Sequence, residues 1–181
     1  MGLETELVQL IPSLKARYPT YRDFGASKIE SILPLADLAR ATVLQATDFA
    51  SSLALSNGNG AFALRPLPMG AQFAPIRAAL AGDYDGDGKL DVIVAGNFYG
   101  VAPLLGRYDA SYGLLLRGDG TGALSSVDMM ASGLRIEGQV RHMASLHSAN
   151  GDQLIVVARN DNTLQLLRAN RIAPVHAVGR K

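Results

Sequence analysis

A chain of 181 residues, 48% hydrophobic and 18% charged, is long enough to bury one ordinary core and too apolar to stay disordered. A formal net charge of +1, with no basic tract or face, points away from nucleic acid and membrane surfaces as partners. With no cysteine, disulfides, thiol catalysis and zinc–cysteine sites are excluded together, and no apolar run is long enough to cross a bilayer. The opening MGLETELVQL lacks the basic n-region and apolar core of a secretory signal, and Glu6 stands where N-myristoylation wants Ser or Thr.

In chain order, residues 1–41 read as a helical segment. Leu3, Leu7, Leu10, Ile11 and Leu14 recur at helical spacing, with Pro12 expected to kink or restart the helix. SKIE offers a capping box, Ser27 as N-cap and Glu30 three residues on, opening a second helix through Leu33. Pro34 then suits the first turn of a short third helix over roughly 34–40.

Residues 42–181 change texture to short β runs. SSLALS, AFALRPL, IRAALA, LDVIVAG, YGLLLR, ALSSV, VRHMASL, QLIVVAR and TLQLLRA are the expected strands. Between them NGNG, DGDG, GDGTG, ANGD and NDN supply the positive-φ residues that tight hairpins need. A shift of 62 residues lays GNGAF at 58–62 on GTGAL at 120–124, and a shift of 63 lays VIVAGN at 92–97 on IVVARN at 155–160. One period with about four strands inside it predicts an antiparallel, mainly β fold built of β-propeller blades. Strands over 49–68, 74–130 and 138 to about 178 amount to about two to two and a half blades, fewer than the roughly four that closure needs. The chain is therefore expected to be a partial propeller: a fragment of a longer protein, which fits best, an open stack, or one piece of an oligomeric ring.

Within these strands DYDGDGKLD places Asp83, Asp85, Asp87 and Asp91 in one short loop. Like charges this close cost free energy unless a cation lies among them. Two readings stay open, a solvated acidic turn and a cage for a hard cation. In the 63-residue register the aspartates fall opposite Leu146, Ser148, Asn150 and Leu154, so the hairpin needs no carboxylates of its own. Calcium takes about six to eight oxygen ligands. Side chains at loop positions 1, 3, 5 and 9 (Asp83, Asp85, Asp87, Asp91), the Lys89 carbonyl at position 7 and waters supply them, while Gly86 and Gly88 allow the sharp turn. An EF-hand is rejected, because Val94 stands where its bidentate glutamate belongs and both flanks read as strands.

AALAGDYDGDGKLDVIVAGNF resembles the FG-GAP/VCBS repeat, the calcium-loop blade of integrin-α-type propellers and of bacterial VCBS and ASPIC/UnbV proteins. Asp83, Asp85, Asp87, Gly88 and Asp91 match its D-x-D-x-D-G-x-x-D core. LALSNGNGAF and LLLRGDGTGAL are similar to the family's L-x-N-x-G-D-G-x-F hairpins, and the resemblance covers roughly 42–168. NFYGVAPLLGRYDASYGLLL looks like the closing blades of bacterial members of the cartilage-acidic-protein type, whose helical insertions would account for residues 1–40. Val94-Ala95-Gly96-Asn97 departs from the integrin V-G-A-P and favours the bacterial branch. The resemblance implies a secreted, surface or periplasmic module that is stabilised by Ca2+, is mostly non-catalytic, and binds a protein or a glycan. The rest of a parent propeller or a homo-oligomer partner would complete it.

The remaining motifs have plainer readings. RGD at 117–119 lies in a hairpin whose turn chemistry accounts for Gly118 and Asp119. His142 and His147, five apart on one strand, face opposite sides, and neither they nor His176 have a carboxylate at zinc-ligand spacing. GRYDASYG reads as an Arg107–Asp109 pair with two tyrosines closing a connection, or as a loop lining a ligand site. A calcium-dependent glycan-binding or polysaccharide-active protein is the alternative function. As an enzyme it would need paired carboxylates at a pocket, for which Asp109 and Glu137 are the only candidates.

Overall fold

The computed structural model describes residues 3–169. The chain divides into two compact units, Met1–Thr47 and Asp48–Lys181. The first is helical: α1 (Leu3–Leu10), α2 (Leu14–Arg17), α3 (Tyr21–Gly25), α4 (Ile29–Ile32) and α5 (Leu35–Arg40). Pro12 ends the first helix as expected, since it has no N–H to continue the ladder. Leu14 is buried, Tyr18 and Phe24 meet edge to face at 5.9 Å, and the Tyr18 hydroxyl donates to the Ser31 carbonyl at 2.9 Å.

The capping box falls elsewhere than SKIE suggested. Ser27 Oγ donates backward to the Phe24 carbonyl at 2.6 Å, and Ser31 Oγ instead accepts from the Lys28 N–H at 3.1 Å. A serine hydroxyl bonds whichever backbone group lies nearest, and the end of α3 offers Ser27 a carbonyl first. The third helix opens after Pro34, not on it. Helix α3 had no counterpart among the expected elements; its signal is Thr20, whose Oγ1 accepts from the Asp23 N–H at 3.2 Å.

In the second unit all nine expected strands form, and all pair antiparallel with their chain neighbours. They are β1 (Ser52–Ser56), β2 (Phe62–Pro66), β3 (Ile76–Gly82), β4 (Asp91–Gly96), β5 (Leu114–Gly118), β6 (Leu124–Val127), β7 (Val140–His147), β8 (Gln153–Arg159) and β9 (Gln165–Arg168). They make sheets of two, four and three strands. The architecture is mainly β and propeller-like, and the described residues close no ring. The expected further strand towards residue 178, and His176, lie outside the described residues. A short helix, α6 (Met129–Ser132), was not expected; Asp128 caps it, accepting from the Met130 N–H at 2.7 Å.

The sequence repeat is a structural one. Asn57 N–H donates to the Ala61 carbonyl at 2.9 Å and Asp119 N–H to Ala123 at 3.1 Å, with Gly58, Gly60, Gly120 and Gly122 all at positive φ. In the four- and three-stranded sheets the register slips at the same place, between Ile76 and Ala78 and between Val140 and His142. Beside each slip an asparagine N–H reaches across, Asn97 to the Pro75 carbonyl at 3.1 Å and Asn160 to the Gln139 carbonyl at 2.8 Å.

Strand β4 is the hub. One of its faces sends Ile93 and Ala95 to Ala78, Val140, Met143, Ile155 and Val157, joining the second sheet to the third. Its other face sends Val94 to Leu116 and Ala71, with Val92 partly buried beside them. Burial on both faces explains why VIVAG, after Asp91, is continuously apolar rather than alternating. Leu116→Ala, at a position with no exposure, is expected to cost about 2–5 kcal/mol. Leu64→Ala, at a position 61% exposed on β2, should cost under about 0.5 kcal/mol. Urea denaturation of the two variants measures the difference.

Candidate metal centre

The loop of residues 83–90 joins β3 to β4, between the paired residues Gly82 and Asp91. The equivalent connection in the third sheet, 148–152 between His147 and Gln153, is a shorter turn closed by Ser148 N–H to the Asp152 carbonyl at 2.9 Å. The extra length of the first loop is folded inward on its own carboxylates. Asp83 accepts from the Gly86 N–H at 2.7 Å and the Gly88 N–H at 3.1 Å, Asp85 from Asp87 N–H at 3.1 Å, and Asp87 from Lys89 N–H at 2.8 Å. Both glycines sit at φ 82, the left-handed region that such a turn requires.

Asp91 anchors the loop from below. It is wholly buried, and its two oxygens accept from Tyr84 N–H at 3.0 Å and Gly118 N–H at 2.9 Å. Two backbone donors compensate its burial, because charge-assisted bonds of this kind are the strong ones. Gly118 has a second duty: a Cβ there would lie 2.0 Å from the Leu90 carbonyl oxygen. Only a residue without a side chain lets β5 come close enough to donate to Asp91.

Asp83, Asp85 and Asp91 each bring a carboxylate oxygen within 4.8 Å of the others, a spacing at which one cation is reached by all three. Asp87 stays outside that trio: its carboxylate faces Lys89, whose ammonium lies 3.4 Å away, and the Lys89 N–H and ammonium hold it below the usual carboxylate range. Arg117 was not anticipated at this site. Its Nε lies 2.6 Å from Asp85, whose side chain is only 12% exposed. No local signal marked it: only the register of the folded sheet, Val92 opposite Leu116, sets the next residue of β5 beside the loop.

RGD is thereby accounted for residue by residue. Arg117 pairs with Asp85, Gly118 serves Asp91, and Asp119 accepts from Thr121 N–H at 2.7 Å and Ala123 N–H at 3.2 Å. These donors and the Thr121 hydroxyl hold Asp119 below the usual carboxylate range. Turn chemistry explains Asp119, whereas Gly118 is required by a close backbone approach within the sheet.

The other candidates scatter. His142 and His147 are exposed on β7, and among the described residues no metal-spaced carboxylates join them. The expected Arg107–Asp109 pair does not form; Arg107 lies over the Tyr99 ring at 4.9 Å, since a guanidinium stacks on an aromatic face as readily as it pairs. Asp109 and Glu137 do line one cleft, but Glu137 is bonded to Arg135.

An antiparallel four-strand sheet with an acidic loop between its first two strands is a blade-type unit, and the comparison with known families agrees. The family model of the FG-GAP-like repeat matches residues 36–94, a span that ends in β4 and contains the whole loop. The chain thus carries an FG-GAP-like repeat, a kind of module generally structural or binding rather than catalytic. No curated protein and no solved structure matches the chain.

Two outcomes test this description. Gly118→Ala should destabilise by about 2–4 kcal/mol, well beyond the propensity cost of glycine replacement, because it strips Asp91 of a buried donor; thermal unfolding against wild type measures it. Burial, and then the Asp91 carboxylate, pushes the Tyr84 phenol from 10.0 up to about 12. The unfolded phenol ionises first, so its contribution is full below pH 10 and is lost as pH rises towards 12. Denaturation midpoints should fall across that window, and less steeply in Tyr84→Phe.

Proposed function

We propose that this protein is a calcium-stabilised, non-catalytic β-propeller segment acting outside the cell as a binding or structural module. The observation that carries the reading is the gathering of Asp83, Asp85 and Asp91 into one oxygen cluster on a loop inside the matched FG-GAP-like repeat. The donor set is all oxygen and rich in carboxylates, which suits calcium better than magnesium, an ion that keeps most of its waters. Asp83, Asp85 and Asp91 would ligate the ion directly. Asp87 and the Lys89 carbonyl would join once Asp87 leaves the Lys89 ammonium.

Calcium would supply positive charge to Asp83 and Asp91, which have no cationic side chain paired with them among the described residues. Arg117 and Lys89 each neutralise one other carboxylate from the rim. Bound, the ion ties β3 to β4 and holds the loop against Gly118 on β5. Extracellular calcium modules bind at about 10⁻⁴–10⁻³ M, a range that fills outside cells and stays empty in cytosol. That FG-GAP repeats are typical of extracellular proteins supports the same location. Among the described residues no helix is long and apolar enough to cross a membrane.

Thermal unfolding across a calcium titration, against a chelator, tests the reading. Calcium at a hundred times its dissociation constant should add about 2.7 kcal/mol, and Asp83→Ala should abolish the gain. Arg117→Met removes a competing cation and should tighten calcium about two- to fivefold. A wild type indifferent to calcium would leave the loop as an acidic turn held by Arg117 and Lys89.

A further inference from the structure

At the other end of β4 from the metal loop, about 20 Å away along six residues of strand, lies a cleft of about 810 Å³. Its walls come from the β4–β5 connection, the start of β7 and the β8–β9 turn. We propose that this cleft binds a neutral saccharide, and so supplies the ligand of the binding module proposed above.

The lining argues the ligand's chemistry. Among the described residues no aliphatic side chain lines the cleft; what it offers is three aromatic rings, Phe98, Tyr99 and Tyr112, among planar amides, carboxylates and guanidiniums. Three carboxylates, Asp109, Glu137 and Asp161, are matched by Arg107, Arg141 and, on Glu137 itself, Arg135, which leaves no net field for an anionic ligand. A sugar suits what remains: hydroxyls that both donate and accept, and C–H faces that pack on aromatic rings.

The cleft is also preorganised. Asn97, buried and at φ 75, donates to the carbonyls of Ser111 at 2.8 Å and Gly138 at 3.0 Å and accepts from Ser111 N–H at 3.1 Å. One side chain thus locks two walls together. Guanidiniums steady the rings, with Arg107 over Tyr99 and Arg135 over Tyr112 at 5.8 Å, while Tyr112 stays half exposed. Arg141 is aligned by Asn160 at 3.1 Å. One lining group is left unused: Gln139, only 2% exposed, has an amide nitrogen with no hydrogen-bond partner. Buried donors are ordinarily paired, and a ligand hydroxyl reached by a small turn of the amide would satisfy this one.

The test is affinity electrophoresis of the full chain through gels containing a neutral polysaccharide (xyloglucan, glucomannan, arabinan or galactan), with calcium present. The expected result is retardation in at least one of them, with affinity reduced about tenfold or more by Tyr112→Ala and by Gln139→Leu. Both variants should keep the wild-type calcium response in thermal unfolding, since the two sites lie at opposite ends of the strand. Retardation in none of the gels, by a protein that still responds to calcium, overturns the saccharide cleft and leaves the calcium reading intact. Retardation unchanged in both variants overturns it too, by placing the binding elsewhere. Loss of the calcium response with retardation preserved would overturn the calcium reading instead.

Discussion

The carboxylate of Asp91 holds this structure at its narrowest point. It is the first residue of β4, wholly buried, and its two oxygens reach to Tyr84 in the loop and to Gly118 on β5. A buried carboxylate without donors would cost several kcal/mol; with two, it joins three segments of chain that no apolar contact could place so closely. The surrounding residues follow from that need. Leu90 turns its carbonyl towards Gly118, the glycine leaves room for it, and Tyr84 closes over the base of the loop, where burial pushes its phenol up to about 12.

Above Asp91 the loop trades charge for local order. Each carboxylate of Asp83, Asp85 and Asp87 captures a nearby backbone N–H, so the acidic turn holds its shape by the same groups that would face a metal. A carboxylate oxygen has more than one lone pair, and accepting from an amide does not prevent it from meeting a cation. Arg117 and Lys89 sit at the rim as internal cations. A cation held there would be coupled to fold stability through a few charges in one hairpin and its neighbour.

The repeat distributes two tasks between equivalent places. At one end of the blades the β3–β4 loop is long and acidic, while its counterpart between β7 and β8 is a short turn. At the other end Asn97 and Asn160 make the same cross-strand bond. From that shared scaffold Asn97 goes on to bridge the walls of the cleft, while Asn160 aligns Arg141. One supersecondary unit, used twice, carries different side chains at its two ends.

Much of this was legible in the residues themselves. The nine strands were marked by β-branched and apolar runs between glycine-rich turns, and the loop aspartates by their spacing. Those signals are local, because pleat periodicity and positive φ are decided within a few residues. Less legible were the ends of helices, where Ser27 and Ser31 each had several backbone groups in reach and only packing chose among them. The part played by Arg117, the unpaired state of Arg107, the close approach at Gly118 and the cleft around Gln139 depend on residues far apart in the chain meeting across strands. Sequence by itself determined the strands, the hairpins and the acidic loop; tertiary structure alone decided which charges meet, because cross-strand register and burial set those distances and local sequence does not.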